Sequence, residues 1–293
     1  MQITNSNHLP EPLVRAVTPK RHREPSRISV TDLILPPQIR ALSVRYESQL
    51  SEDASDRLWA LLGTLLHGVL ERNAQGLKDT ITEEALEMAV HGWTVVGHYD
   101  LSEMVLDGET LTDWKLTSVW VTIDGVKPEW EQQLNCYAEL IRQAGRYVRA
   151  LQIVTIFRDW SKNKARFDSE YPQQQVRVYE VPLWTAERAQ QFITERVRLH
   201  QEAEQGSWPD CTPSERWEKP TTFALMKEGR KSAIRVMENG LDLMKYAIEN
   251  GMTGPDHVIK SPFFIKERQG ESTRCESYCG VSAFCPQFAR MKQ

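Results

Sequence analysis

The sequence predicts a mixed α/β protein in which helices flank a central mixed β-sheet. Three stretches support this fold class: a helical pattern from residue 53, strand-forming residues over 93–121, and a nearly all-apolar run at 150–158. The composition is that of an ordinary globular protein, with 40% hydrophobic and 26% charged residues. A chain of 293 residues can bury a substantial core, in one large domain or two small ones.

The first half of the chain is expected to form an arm, a helix and a hairpin. Residues 1–27 are polar and rich in Pro and Arg, which is typical of a flexible N-terminal arm. From residue 53 onward, apolar residues recur three and four apart and predict a helix with one apolar face, made by Leu58, Leu61, Leu62, Leu65, Leu66, Val69 and Leu70. Strand formers over 93–106 and 109–121, joined by Asp107-Gly108, predict a β-hairpin.

The second half is expected to alternate helices and strands before a loop-rich end. In chain order, the patterns predict a helix after Pro128, strands at 150–158 and 176–181, a helix capped by Thr185 that ends near residue 205, and helices at 221–229 and 230–250. We therefore predict a core at 28–205 and a C-terminal helical region at 206–293 that packs on it.

Charge and hydropathy exclude little about function but indicate a compartment. No apolar run approaches the roughly 20 residues needed to span a bilayer, and the polar start of the chain lacks a signal-peptide core. We therefore expect a cytoplasmic protein without a membrane partner (in the host cytoplasm if a phage encodes it). The net charge of -4 does not indicate a polyanion partner, although a basic groove can lie on an acidic body.

The predicted hairpin carries a chemically interesting set of charges. Asp100 lies on its first strand, and Asp113 and Lys115, two apart on the second, point to the same face. Pairing across the turn would place residue 100 opposite 115 and 102 opposite 113, within one register step, so the three side chains can converge. An idle surface ion pair is the commoner fate of a lone D-x-K motif, and it is the alternative here.

Two carboxylates and a lysine suit metal-assisted hydrolysis of a phosphodiester bond. Carboxylates bind Mg²⁺ or Mn²⁺ through hard oxygen ligands. The metal lowers the pKa of a bound water and stabilises the charge that builds on the phosphate. The lysine can orient or deprotonate that water, or neutralise the developing anion.

Four short motifs follow one another over residues 63–137: GTLLHG containing His67, GHYD ending at Asp100, DWK from Asp113 to Lys115, and QLNCY from Gln133 to Tyr137. This series resembles that of the RecB-like PD-(D/E)xK nucleases, in which a helical His, G-x-x-D, (D/E)-x-K and Q-x-x-x-Y occur in this order. The resemblance implies a restriction-endonuclease-like core. It also implies that His67, Asp100 and Asp113 bind a catalytic Mg²⁺ or Mn²⁺, with the backbone carbonyl of Trp114 completing the protein's ligands.

The same resemblance assigns roles to the remaining motif residues. Lys115 would be the catalytic lysine. Gln133 and Tyr137, four apart on one helix face, would position that lysine and the DNA backbone, and a core position is the alternative for Tyr137. The family implies DNA as substrate, single-stranded or end-bearing, and a recombination or replication protein as a possible partner.

Five cysteines raise the question of a second metal site. Cys275, Cys279 and Cys285 fall within eleven residues, and in a reducing compartment such a cluster indicates a metal before disulfides. Cys211, in the turn-like sequence WPDC, is the expected fourth ligand. Cys136 lies inside the helical Gln133–Tyr137 motif and is expected to be a buried thiol.

Several RecB-like nucleases, the CRISPR-associated adaptation nucleases among them, hold a [4Fe–4S] cluster with one distant cysteine and three that end in C-x5-C-P. The end of this chain is similar to that pattern. It departs from it because the first gap is three residues instead of two, and because the distant cysteine follows the nuclease motifs. Zn²⁺ suits the same four ligands, so an iron–sulfur cluster, zinc and no metal all stay open.

These patterns together predict a metal-dependent deoxyribonuclease, an exonuclease acting on DNA ends or single strands in recombination, repair or phage replication. Two functions from other classes stay open. One is a non-catalytic nucleic-acid-binding module that keeps the nuclease fold, and the other is an iron–sulfur redox carrier. The presence of Asp100, Asp113 and Lys115 together favours the enzyme.

Overall fold

A computed structural model describes residues 1–19, 24–122 and 125–292, and it divides into two compact units, Met1–Pro209 and Asp210–Gln293. The predicted mixed α/β fold is confirmed, because parallel and antiparallel strand pairs occur with helices packed against them. The sequence places the boundary at 205/206, and the contacts divide the chain at 209/210. Within the described residues, none of the helices is long and apolar enough to cross a bilayer.

The first unit contains most of the helices and strands. Over its described residues they are β1 (Gln2–Thr4), α1 (Glu11–Val17), β2 (Arg27–Ser29), α2 (Val30–Leu33), α3 (Pro37–Arg45), β3 (Ser51–Asp53), α4 (Leu58–Ala74), β4 (Thr80–Thr82), β5 (Ala85–Val90), β6 (Trp93–His98), β7 (Leu101–Val105), β8 (Gly108–Thr117), α5 (Pro128–Gln143), β9 (Val148–Phe157), α6 (Lys162–Phe167), β10 (Val176–Val181) and α7 (Ala186–Glu204).

The largest sheet has five strands in the order β10-β9-β8-β7-β4. Strands β8 and β9 run parallel, and their neighbours pair antiparallel, so the sheet is mixed. A smaller sheet has the order β2-β6-β5. Helix α5 closes the core against both sheets, since Leu134 and Ile141 of α5 pack in one cluster with Leu111 of β8, Ile153 of β9 and Val95 of β6.

Several sequence predictions match these elements closely. Strand β10 has the predicted bounds, and β9 lies within two residues of its prediction. The cap of α7 is confirmed, because the Thr185 hydroxyl accepts a hydrogen bond from the Arg188 amide at 3.2 Å. Helix α5 begins at Pro128, where the fixed φ of proline suits the first helical position.

The continuous strand predicted over 93–106 is wrong. The chain leaves the smaller sheet after β6 and enters the larger one at β7, with Tyr99 and Asp100 between them. At this break, the Asp100 carboxylate accepts the hydrogen bond of the Trp114 N–H on β8. The register also differs from the predicted one by two residues, because Ser102 lies opposite Leu111. An even shift keeps every side chain on its predicted face.

Regular elements occupy part of the segment predicted to be a flexible arm. Gln2 pairs in parallel with Ser51, so β1 and β3 form a two-stranded sheet, and α1 follows. Residues 20–23 of the predicted arm lie outside the described residues. The arm's mobility stays a prediction for the remaining residues.

Helix α4 carries the predicted apolar face, but that face is accessible. None of its described residues is buried, and Trp59 and Leu65 are 56% and 55% exposed. Local periodicity predicted the helix correctly. It could not show whether a neighbouring element covers the apolar side.

The second unit consists of short strands, one helix of ten residues and a cysteine-rich end. Its elements are β11 (Glu218–Lys219), β12 (Thr222–Lys227), β13 (Arg235–Met237), α8 (Gly240–Glu249), β14 (Phe263–Arg268), β15 (Glu271–Ser272) and α9 (Pro286–Met291). The helix predicted at 221–229 is wrong, and the one predicted at 230–250 is right only for α8. Strand β12 pairs with β13 and with β14, about forty residues away, and this distant pairing outweighs local helical periodicity.

His200 provides a test of the packing between α7 and α2. Its side chain is fully buried, with Nε2 3.0 Å from the Leu33 carbonyl oxygen, and its Nδ1 has no partner among the described residues. Burial lowers the pKa of His200 to about 4, because protonation would place an unpaired N–H in the core. The unfolded chain, with a His pKa of about 6.5, takes up the proton first, so stability is full above that value and declines as the pH falls towards 4.

We expect the free energy of unfolding to fall by about 2 kcal/mol more between pH 7 and pH 5 in the wild type than in His200→Gln. Urea denaturation at the two pH values measures this difference. The glutamine amide can still donate a hydrogen bond to Leu33 but does not titrate. An equal decrease in the two proteins would contradict the assignment.

Candidate active site

The structure brings the six motif side chains of the first unit into one neighbourhood. They are contributed by α4, the β6–β7 link, β8 and α5, and they comprise His67, Asp100, Asp113, Lys115, Gln133 and Tyr137. Strand β8 lies between β7 and β9, so its side chains occupy the middle of the larger sheet. Residues up to 70 positions apart in sequence, His67 and Tyr137, thereby meet around this one strand.

Asp100 is held by two contacts, one on each carboxylate oxygen. Its Oδ1 lies 3.0 Å from His67 Nδ1, and its Oδ2 accepts the Trp114 backbone N–H at 2.8 Å. The hydrogen bond with Asp100 raises the pKa of His67. These contacts fix the carboxylate and the imidazole relative to each other. The role of the Trp114 carbonyl stays a prediction, and the structure shows a role for its N–H.

Asp113 and Lys115 form a buried ion pair. The two atoms that meet, Oδ2 of Asp113 and Nζ of Lys115, are 2.6 Å apart, and the side chains are 4% and 19% exposed. Burial raises the pKa of Asp113, since a charged carboxylate is costly there, and the nearby Asp100 opposes its ionisation further. Positive charge next to Asp113 therefore favours its ionised form. Lys115 supplies part of that charge.

Lys115 is positioned by a chain of hydrogen bonds from α5. Its ammonium donates to Gln133 Oε1 at 3.0 Å, and Gln133 Nε2 donates to the Tyr137 hydroxyl at 2.9 Å. Tyr137 is 5% exposed, so it is both a core residue and the end of this chain. Gly97 makes the arrangement possible, because a Cβ at that position would lie 2.5 Å from Leu140 Cδ1 and 2.9 Å from Tyr137 Cδ1.

Sequence reasoning missed Glu83, which lies between β4 and β5. One ligand atom each from His67, Glu83 and Asp100 lie within 4.8 Å of one another, a spacing that can hold a metal ion. Burial, and then the negative charges of Asp100 and Glu71, raise the pKa of Glu83. Its backbone has a φ of 51°, the left-handed region that a side chain rarely adopts. An acidic pair at a strand end was the only signal in the sequence, and it fits none of the motif spacings.

The observed group of potential ligands differs from the predicted one. The prediction combined His67 and Asp100 with Asp113, whereas the close group among the described residues contains Glu83 in its place. The Asp113 carboxylate instead meets Lys115. Asp100 and Asp113 nevertheless lie in one site, close enough for the charge of Asp100 to raise the pKa of Asp113.

The four cysteines predicted as ligands all lie in the second unit. Cys211 and Cys285 are buried, and Cys275 and Cys279 are half-buried. Gln287 of α9 ties Cys211 to this end of the chain: its Oε1 accepts from the Cys211 N–H, and its Nε2 donates to the Cys211 carbonyl, each at 2.8 Å. Burial, and then the charges of nearby groups that include Cys285 and Cys279, raise the pKa of the Cys211 thiol to about 12.

Cys136 is separate from this group, since it is 1% exposed in the core of the first unit, as its sequence context predicted.

The sequence matches no family model and no curated protein. The structure is similar to that of a protein named SSO0001, with 20% sequence identity and a TM-score of 0.46 over 70% of this chain and 87% of that one. It is also similar to a "Putative exonuclease" from Eubacterium rectale, with 14% identity and a TM-score of 0.31 over 45% of this chain and 48% of that one. Both similarities are too low to carry a functional argument, which therefore rests on the site itself.

Proposed function

We propose that the protein is a metal-dependent deoxyribonuclease of the RecB-like PD-(D/E)xK kind. One observation carries this proposal. The motif residues, spread over residues 63–137, meet in two connected groups: Asp100 contacts His67, and Asp113, Lys115, Gln133 and Tyr137 contact one another in turn. The Asp100 carboxylate joins the two groups by accepting the N–H of Trp114, the residue between Asp113 and Lys115. An accidental D-x-K on an exposed hairpin would show neither this burial nor these partners.

The donor set fits Mg²⁺ or Mn²⁺. His67, Glu83 and Asp100 offer one imidazole nitrogen and two carboxylate oxygens, and Asp113 adds a further carboxylate beside them. Hard divalent cations prefer oxygen ligands, and Mn²⁺ also accepts imidazole. A cation bound there would lower the pKa of a water and stabilise the charge that develops on a phosphate.

The protein's own residues would orient the substrate and supply charge. Asp113 and Gln133 hold the Lys115 ammonium from two sides, so it is preorganised to stabilise a developing negative charge or to orient the attacking water. Tyr137 fixes the Gln133 amide and thereby the lysine. Preorganised charge of this kind is effective in a site from which water is largely excluded.

Metal removal tests the proposed function directly. We expect protein dialysed against EDTA to be inactive on single-stranded and end-bearing DNA, and added Mg²⁺ or Mn²⁺ to restore cleavage. Asp100→Asn should stay inactive after metal addition, because it loses the carboxylate that contacts His67. Asp107→Asn, an exposed aspartate of the β7–β8 turn, is the matched control and should behave as wild type.

Undiminished cleavage by the EDTA-treated protein would overturn the metal-dependent mechanism. A wild type that binds DNA but cleaves neither DNA nor RNA would support the non-catalytic binding module instead. Cleavage of RNA at a rate equal to that of DNA would replace the assignment to deoxyribonucleases with a broader one.

We also propose that Cys211, Cys275, Cys279 and Cys285 hold a [4Fe–4S] cluster. Thiolates suit zinc and iron–sulfur clusters alike. The C-x5-C-P ending of the chain, with Cys211 as the distant fourth ligand, is similar to the pattern of nucleases that hold a [4Fe–4S] cluster. The N–H of Phe288 also lies 3.4 Å from Cys285 Sγ, where a hydrogen bond stabilises a thiolate.

The colour of the anaerobically purified protein tests this assignment. A broad absorbance band near about 400 nm is expected for a thiolate-ligated iron–sulfur cluster, with stoichiometric iron and sulfide. Cys285→Ser should lose the band, whereas Cys136→Ser should keep it. A colourless protein with one bound zinc would overturn the iron–sulfur assignment.

A further inference from the structure

Exposed aromatic rings alternate with cations at the carboxyl ends of β8 and β9. Trp59 of α4 and Trp120, which follows β8, are 56% and 58% exposed. The Arg158 guanidinium lies 4.1 Å from the centroid of the Trp59 ring, and the Lys164 ammonium lies 5.4 Å from the Trp120 ring. We call these four residues the aromatic ledge.

The ledge is attached to the strand that carries Lys115. The Arg158 backbone N–H donates to the carbonyl of Thr117 at 2.9 Å, and Thr117 is two residues beyond Lys115. Since the Arg158 side chain covers Trp59, this pairing brings the start of α4 to the end of β8. His67 lies two turns further along the same helix.

The second tryptophan is held firmly. The Asp159 carboxylate accepts the Ser118 hydroxyl at 2.5 Å and the Val119 N–H at 2.8 Å, which fixes the turn before Trp120. The Trp120 ring meets the buried Tyr171 edge to face, with centroids 6.5 Å apart. Its position is therefore set by packing, although more than half of the residue is exposed.

Two large rings left accessible beside cations have a specific chemical use. Leaving a tryptophan in water forfeits a burial free energy of roughly 2 kcal/mol, so a pair of them next to a candidate site calls for a ligand. Unpaired bases stack on aromatic faces while their phosphates meet lysine and arginine. In duplex DNA the base faces are already stacked and cannot use such rings.

We propose that the aromatic ledge binds the unpaired bases and phosphates of a single-stranded nucleic acid, leading one strand towards Lys115. Cleavage of the bound strand at Lys115 rests on the nuclease function proposed above. Charge favours this ligand over an apolar protein partner, because residues 158–166 contain four exposed cations: Arg158, Lys162, Lys164 and Arg166.

The basic stretch at 219–235 is a weaker candidate for the same role. Its Phe223 packs against the core of the second unit, and its Lys219 pairs with Glu271 at 2.5 Å. The Phe223 ring is therefore occupied by packing and the Lys219 charge by an ion pair, which leaves less of this stretch to bind a base or a phosphate.

Binding of an oligo(dT) of about 20 nucleotides, measured by fluorescence anisotropy in EDTA, tests the ledge without cleavage. We expect Trp59→Ala and Trp120→Ala each to raise the dissociation constant by about fivefold or more, and Trp120→Phe to restore part of the loss. Lys164→Gln should reduce the steepness with which the logarithm of the association constant falls against the logarithm of the salt concentration by about 0.7. Binding to a blunt duplex of equal length should not change in the tryptophan variants.

Tyr147→Ala is the matched control, because Tyr147 is 66% exposed but lies at the opposite ends of β8 and β9. It should bind oligo(dT) as the wild type does. The proposal is wrong if the tryptophan variants, shown folded by thermal melts, bind oligo(dT) with unchanged affinity, or lose duplex binding equally. It is also wrong if the wild type binds only a protein and no oligo(dT).

Failure of the ledge and failure of the nuclease are distinguishable. Tryptophan-dependent oligo(dT) binding without metal-dependent cleavage would support the ledge and overturn the nuclease. Metal-dependent cleavage, together with an oligo(dT) affinity that neither tryptophan substitution changes, would support the nuclease and overturn the ledge.

Discussion

Replacing Lys115 with alanine is expected to lower the rate of DNA cleavage by about 10²- to 10⁴-fold, the range for losing a positioned proton-transfer or charge-stabilising group. The reason is geometric: the Lys115 ammonium lies 2.6 Å from Asp113 Oδ2 and 3.0 Å from Gln133 Oε1, and alanine leaves that position without a cation. The fold should persist. Asp113 loses its partner, but its pKa is already raised, and it can take up a proton in place of a buried unpaired charge.

Single-turnover rates at saturating Mn²⁺, with melting temperatures of the same preparations, measure this effect. Lys78→Ala is the control, since Lys78 is 91% exposed and follows α4. Gln133→Ala should fall between the two, because the lysine keeps Asp113 but loses its second support. A folded Lys115→Ala protein that cleaves at the wild-type rate would overturn the catalytic assignment.

Replacing Glu83 with glutamine is expected to weaken Mn²⁺ binding by roughly 10- to 100-fold, a loss comparable to that seen when the groups around a metal site are altered. The ligand atoms of Glu83, His67 and Asp100 lie within 4.8 Å of one another, so one ion could contact all three. Glutamine has nearly the same shape as glutamate but is a poorer metal ligand. Titration calorimetry or the electron paramagnetic resonance of free Mn²⁺ gives the dissociation constant without measuring catalysis.

Glu71→Gln separates a lost ligand from a lost charge. Glu71 lies one turn from His67 on α4, and its negative charge reaches Glu83, but it is outside the close group of ligand atoms. Its replacement removes the same charge from the same neighbourhood. Equal shifts in the Mn²⁺ dissociation constant for the two variants would show that Glu83 acts through charge alone.

Part of the candidate site could be predicted from the order of residues along the chain. The alternation of side chains along a strand was enough to place Asp113 and Lys115 on one face, and helical periodicity was enough to place Gln133 and Tyr137 together. Both rules act over a few residues. Neither rule could predict Glu83, because it lies in an irregular backbone turn between β4 and β5. Its left-handed φ does not follow from any residue pattern in the sequence.

The same distinction between local and distant interactions separates the correct predictions of the fold from the wrong ones. Where local pattern and distant pairing agree, as in β10 and the Thr185-capped α7, the sequence predicted the bounds closely. Where a strand is formed by a partner far along the chain, as for β12 with β14, the local pattern was misleading. The break at Asp100 belongs to this second group, since β6 and β7 on its two sides pair with strands of different sheets.

By itself, then, the sequence determined the mixed α/β class, the order of most elements in the first unit, and the motif residues from His67 to Tyr137. Only the tertiary structure decided that Glu83 joins His67 and Asp100, and that Lys115 is held from two sides. It also decided that Trp59 and Trp120 lie exposed at the carboxyl ends of β8 and β9. The physical reason is range. Backbone periodicity is local and can be read along the chain, whereas burial, charge pairing and ligand spacing depend on which distant residues become neighbours.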